Sequence, residues 1–144
     1  MNLFNIENSY ASMEKRGWDR IYWFVDVHGT IAVPDYLDET KKKQFYPFAR
    51  QVLRYLSKRD DTCLILWTCS HNDDINVILK WLQQNKIYFE YVNENPECKT
   101  TERVNLEQKP YYNVLLDDRA GFEPETDWRL IFQKLEEIFG ALLI

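Results

Sequence analysis

Hydrophobic and polar positions along this chain fall into two kinds of block. Four short apolar runs, residues 21–25, 63–67, 88–92 and 113–116, are rich in β-branched and aromatic side chains. Their near-continuous hydrophobicity predicts strands covered on both faces, as in a parallel sheet. Between the first two, residues 40–59 carry Phe45, Phe48, Val52, Leu53, Tyr55 and Leu56 at roughly helical spacing, with Pro47 near the expected first turn. After the second run, Asn72 or Asp73 is placed to cap a helix with Ile75, Ile78, Leu79 and Leu82 on one face, ending at Asn85-Lys86. A last helix is expected over 126–139, closed by Gly140. Strand and helix alternate, which predicts right-handed βαβ units. The expectation is one α/β domain over 1–144, a three-layer doubly wound (Rossmann-like) parallel sheet, with 1–19 as an N-terminal extension. The link 93–112 is less regular, as a functional loop or a short helix would be.

Composition narrows the class. The chain has 144 residues, 45% of them hydrophobic and 15% aromatic, so it can bury one sizeable core. Its 23 acidic and 18 basic residues give a net charge of −5, which argues against a generic nucleic-acid surface. Cys63, Cys69 and Cys98 form no CxxC pair, and Cys63 within an apolar run reads as a reduced core thiol. No signal-peptide pattern or bilayer-length apolar run is present, so the expected location is cytoplasmic, with no membrane partner.

The chemistry gathers where the strands end. In a parallel sheet the carboxyl ends share one edge, and ligands bind there. The first run delivers Asp26 and then His28, Gly29 and Thr30. The second delivers Thr68 and Ser70, and the fourth delivers Asp117 and Asp118, with Lys109 upstream. Asp26, Asp117 and Asp118 suit Mg²⁺, a hard cation that takes carboxylates, waters and substrate oxygens. Thr68 and Lys109 suit the oxygens of a transferred phosphoryl group. Each feature alone is ordinary; an acidic pair is usually a turn or a cap. Their order is what carries information.

That order resembles the haloacid dehalogenase-like superfamily of phosphohydrolases. The matching motifs are Asp26-Val-His28-Gly29-Thr30, then Leu66-Trp-Thr68-Cys-Ser70, then Lys109, then Asp117-Asp118. The segments Phe89-Glu-Tyr-Val-Asn-Glu-Asn-Pro96 and Lys109-Pro-Tyr-Tyr-Asn-Val-Leu-Leu-Asp-Asp-Arg-Ala120 look like the small capless phage and bacterial members. The resemblance implies Asp26 as nucleophile and Mg²⁺ ligand, the backbone carbonyl of His28 as a further ligand, and Thr68 and Lys109 on phosphate. It implies Asp117, Asp118 or both on the metal. The family's phosphatases carry a second Asp as acid/base where this chain has His28. Three outcomes follow: His28 replaces it, turnover is slow, or phosphate binds without hydrolysis, as in a degenerate binding or scaffold module.

Only 31–39 separates the first motif from the next expected helix, too short for a cap domain. An open site suits a phosphate on a large molecule, a nucleic-acid end or a protein. A nucleotide or other small phosphomonoester would call for a partner subunit, in a homo-oligomer, as the lid. Two rival families fit poorly. Asp26-Val-His28-Gly29 matches the opening of calcineurin-like metallophosphoesterases, but two histidines are too few for their dinuclear site. A receiver domain would carry its acidic pair after the first strand. His71 reads as a loop or cap residue, and the 41–43 lysine run as a solvated helix start or a contact for an anionic substrate. Trp67 reads as sheet-end packing.

Overall fold

The computed structural model describes residues 3–34 and 43–142. It is an α/β fold of Rossmann-like type, with four parallel strands in the order β3-β2-β1-β4. The strands are β1 (Ile21–Asp26), β2 (Thr62–Trp67), β3 (Tyr91–Val92) and β4 (Val114–Leu116). The helices are α1 (Phe4–Arg16), α2 (Ala49–Ser57), α3 (Asn72–Gln84) and α4 (Pro124–Phe139). None of these helices is long and apolar enough to cross a membrane.

All four helices feed one hydrophobic cluster. Ile6, Tyr10, Val52, Leu53, Ile78, Leu82, Trp128 and Ile131 meet the side chains that alternate onto one sheet face, Trp23, Val25, Leu64, Leu66, Val114 and Leu116. The opposite face holds a smaller cluster of Phe24, Cys63 and Ile65, flanked by Tyr22, Trp67, Tyr91, Tyr112 and Leu115. No helical residue belongs to it. The second helical layer of a doubly wound sheet is therefore replaced, among the described residues, by the irregular β3–β4 connection. Glu97 on that connection accepts from the Tyr22 and Tyr91 hydroxyls at 3.2 and 2.8 Å and pairs with Arg20. Buried Asn95 donates to the Tyr111 carbonyl at 2.9 Å. Polar side chains and Pro96 and Pro110 explain why this stretch makes no helix.

Several boundaries differ from the periodicity. The helix expected over 40–59 begins only at Ala49; positions 40–42 lie outside the described residues. Phe48, just after Pro47, sits at φ +68°, a left-handed conformation that a helix cannot continue through. The residues before it bond elsewhere: Tyr46 N–H donates to Ile31 O at 3.1 Å and Val33 N–H to Gln44 O at 3.0 Å. The strand expected over 88–92 shrinks to Tyr91–Val92, and Tyr88 is exposed. Helix α3 starts at Asn72, with His71 at its N-cap position and exposed; Ile75 N–H donates to its carbonyl. Helix α4 takes Pro124 in its first turn and ends at Gly140, φ +83°. Helix α1 was not apparent in the pattern. It docks through Tyr10, whose hydroxyl lies 2.7 Å from Thr62 Oγ1 and accepts from Trp23 Nε1 at 3.0 Å.

Candidate active site

Register places the site. Asp26 pairs with Trp67, Val25 with Leu116, and Leu66 with Val92. One residue further along, Thr68, Asn93 and Asp117 reach the same carboxyl edge as Asp26.

The turn after β1 is tight. The amides of Thr30, Ile31 and Ala32 all donate to the Val27 carbonyl, at 3.2, 2.9 and 3.0 Å. Gly29 sits there at φ +82°, and a Cβ on it would lie 2.6 Å from Asp118 Oδ2. Glycine is thus required both by the backbone and by the approach of the acidic pair. Thr30 is fully buried and ties three elements together. Its hydroxyl donates to Asp26 Oδ2 at 3.0 Å and accepts from Asp118 N–H at 3.1 Å, while its carbonyl accepts from Trp128 Nε1 at 2.7 Å.

At the end of β4, Asp117 Oδ1 accepts from Arg119 N–H at 2.9 Å and caps the single 3₁₀ turn Asp118–Ala120. Asp26, Asp117 and Asp118 each present a carboxylate oxygen within 4.8 Å of the others. This crowding has an electrostatic signature. Burial, reinforced by the Asp117 charge and by the contact with Asp118, pushes the Asp26 carboxyl up to about 6, against the hydrogen bonds from Thr30 and the Val27 amide. The donor set fits a hard divalent cation: three carboxylates in one small volume, with a glycine kept clear for them.

His28 is half-buried on the rim. Burial and the Lys43 charge lower its pKa, against the Asp74 carboxylate, so its neutral form prevails at pH 7. Lys43 is the one described member of the 41–43 run, and its charge reaches the site; Lys41 and Lys42 lie outside the described residues. Thr68 is half-buried, and its hydroxyl donates to Ser70 Oγ at 3.0 Å and accepts from Ser70 N–H at 3.1 Å. A cleft of about 540 Å³ runs between Asp26, His28, Thr68, Asp117 and Asp118.

The expected residues do not all converge. Lys109 is exposed on the β3–β4 connection and is not among the residues lining the cleft; the cation that lines it is Arg119. Arg119 follows the acidic pair directly, within the 109–120 segment of the resemblance, and that position was the sequence signal for it. Asn93 also lines the cleft; its signals were its place after an apolar run and in the 89–96 segment of the resemblance. Thr30 was visible as a motif letter, but its bridging bonds were not. Trp67 stacks on Phe24 with ring centroids 5.3 Å apart, the packing role expected of it. Cys63, Cys69 and Cys98 are all free, and Cys63 is buried.

No protein-family model and no curated protein matches this chain. Among solved structures, a conserved protein coded by a locus of Bacteroides thetaiotaomicron is similar, with a TM-score of 0.62 and 24% identity over 82% of this chain and 91% of that one. At that identity the likeness speaks for the fold, a four-stranded parallel sheet with its helices, and for nothing chemical.

Proposed function

We propose that this protein is a Mg²⁺-dependent phosphomonoester hydrolase, a small capless member of the haloacid dehalogenase-like superfamily that works through an aspartyl-phosphate on Asp26. The observation that carries the reading is the meeting of Asp26, Asp117 and Asp118 within 4.8 Å, on the sheet edge that also presents Thr68. Structural stability gives no reason to crowd three acids there, since it costs Asp26 its ordinary ionisation.

Asp26, Asp117 or Asp118, and the backbone carbonyl of His28 would hold the ion. When bound, Mg²⁺ offsets the carboxylate charges and that of the phosphoryl oxygens. The protein's own groups account for the rest. Thr30 donates to Asp26 Oδ2 and so orients the carboxylate for attack on phosphorus. The Asp26 O–P bond forms as the ester P–O bond breaks, and the departing oxygen takes a proton from solvent water. A water then attacks phosphorus, giving up a proton to a base, and Asp26 leaves as the carboxylate with inorganic phosphate released. Thr68 and Arg119 suit the phosphoryl oxygens, the latter in the place foreseen for Lys109. His28 replaces the usual acid/base Asp. Held neutral, it suits the water-activating step better than donation to the leaving oxygen.

Neither 27–48 nor 93–113 is long enough to add a cap domain, so the cleft stays open to a phosphate on a macromolecule, a nucleic-acid end or a protein, or to a nucleotide. His28 in the acid/base position also favours a second reading, a degenerate phosphate-binding module. One experiment separates the two: Mg²⁺-dependent phosphate release from a panel of phosphomonoesters, nucleotides and 3′-phosphorylated oligonucleotides, with Asp26→Asn alongside. Release that Asp26→Asn abolishes supports the enzyme. Phosphate binding without release supports the module, and neither behaviour would sink both.

A further inference from the structure

Asn93, at the end of β3, sits at φ +57°, one of three non-glycine residues with positive φ among those described. Asparagine tolerates this conformation better than most residues but still pays a strain that glycine would not. The side chain it aims is fully used. Its Oδ1 accepts from Thr68 N–H at 2.8 Å and its Nδ2 donates to Thr68 O at 2.8 Å. Its own N–H donates to Leu66 O at 2.8 Å. Both backbone groups of Thr68 are thus satisfied by one amide on the neighbouring strand, where β2 has just run out of ladder partners. Two residues on, buried Asn95 uses its amide on Tyr111 O and Glu97 N–H, which anchors the following connection.

We infer that Asn93 is a positioning residue. It acts as a clamp that fixes the backbone of Thr68 so that the Thr68 hydroxyl is presented to the phosphoryl group. This rests on the function proposed above, because it assumes that Thr68 meets phosphate. The left-handed backbone makes the choice of residue specific: glycine would fit the turn without the clamp, and alanine would keep the strain without it. A residue needed only to turn the chain would be better served by glycine, so the amide is the reason for asparagine.

Asn93→Gly tests this, since it removes the amide without adding backbone strain. Two probes are read: hydrogen exchange at the Thr68 amide, and the affinity for inorganic phosphate with Mg²⁺ present. Two lost hydrogen bonds should raise Thr68 exchange and weaken phosphate binding by about tenfold each, with the global unfolding midpoint little moved. A double-mutant cycle with Thr68→Val separates positioning from mere structure: in that background Asn93→Gly should cost little further affinity. Additive losses, or unchanged exchange and affinity, overturn the inference while leaving the phosphohydrolase reading intact. Wild-type protein that binds no phosphate, with Thr68 still protected, fails that reading and reduces the clamp to a structural bond.

Discussion

His28 shows how much of the chemistry turns on single side chains at strand ends. On the proposed mechanism an Asp at that position, its pKa raised by the neighbouring carboxylates, could protonate a leaving oxygen; a histidine held neutral by burial and by Lys43 is a poor acid at pH 7. If the protein is the phosphohydrolase proposed above, leaving groups that depart without a proton should therefore be cleaved far better than alkyl phosphates. The expected result is a steep dependence of kcat/KM on leaving-group pKa in the wild type. His28→Asp should flatten it, raising alkyl phosphate turnover about tenfold or more. A wild-type profile already flat would show that His28 donates the proton after all. Lys109 makes the opposite point. Its residue type and its place in the motif order singled it out, yet it lies outside the cleft lining while Arg119 lies within it. Sequence order cannot register where a loop folds away.

At the scale of elements, legibility followed hydrophobic density. The cores of β1 and β2 and the buried face of α3 were plain because their apolar side chains recur without interruption. Helix α2 was overextended because Phe45 and Phe48 continue its period, whereas Pro47 and the left-handed Phe48 break the backbone there. Helix α1 was hidden for the converse reason. Of its described residues, Ile6, Ser9 and Tyr10 alone are buried, in a segment that is mostly polar. Its docking depends on a polar contact that periodicity does not register. Burial drives the Tyr10 hydroxyl pKa upward, against its hydrogen bonds with Thr62 and Trp23, and keeps it a neutral donor and acceptor. Tyr10→Phe keeps the ring against Phe139 but leaves the buried Trp23 Nε1 without its acceptor. Denaturant unfolding should show a loss of about 1–3 kcal/mol. A loss no larger than that of an exposed substitution would mean α1 is held by its apolar contacts alone.

For the whole molecule, the parallel sheet brings Asp26 and the adjacent pair Asp117-Asp118, remote from it in sequence, into one acidic site, and stability is coupled to that site through Asp26. Its carboxyl is raised to about 6 in the fold, against about 3.9 in an unfolded chain. The sign follows. The folded state holds this proton more tightly, so the group's contribution is complete below about pH 4. It is lost as pH rises through about 6, and above that the ionised, crowded carboxylate costs about 1–2 kcal/mol once partial exposure is allowed for. A divalent cation held by the same three carboxylates removes that cost by favouring the ionised form, and adds its own binding free energy. Millimolar Mg²⁺ should therefore raise the melting temperature by several degrees at pH 7.5 and by little at pH 5. Asp26→Asn has no proton to lose there, so the metal-free variant should be more stable than wild type at pH 7.5 and respond weakly to Mg²⁺. Equal stabilisation by Mg²⁺ at both pH values would place the ion elsewhere on this acidic protein. A difference that disappears in Asp26→Asn ties it to the carboxyl edge of the sheet, where Asp26, Asp117 and Asp118 gather the charge that such an ion would balance.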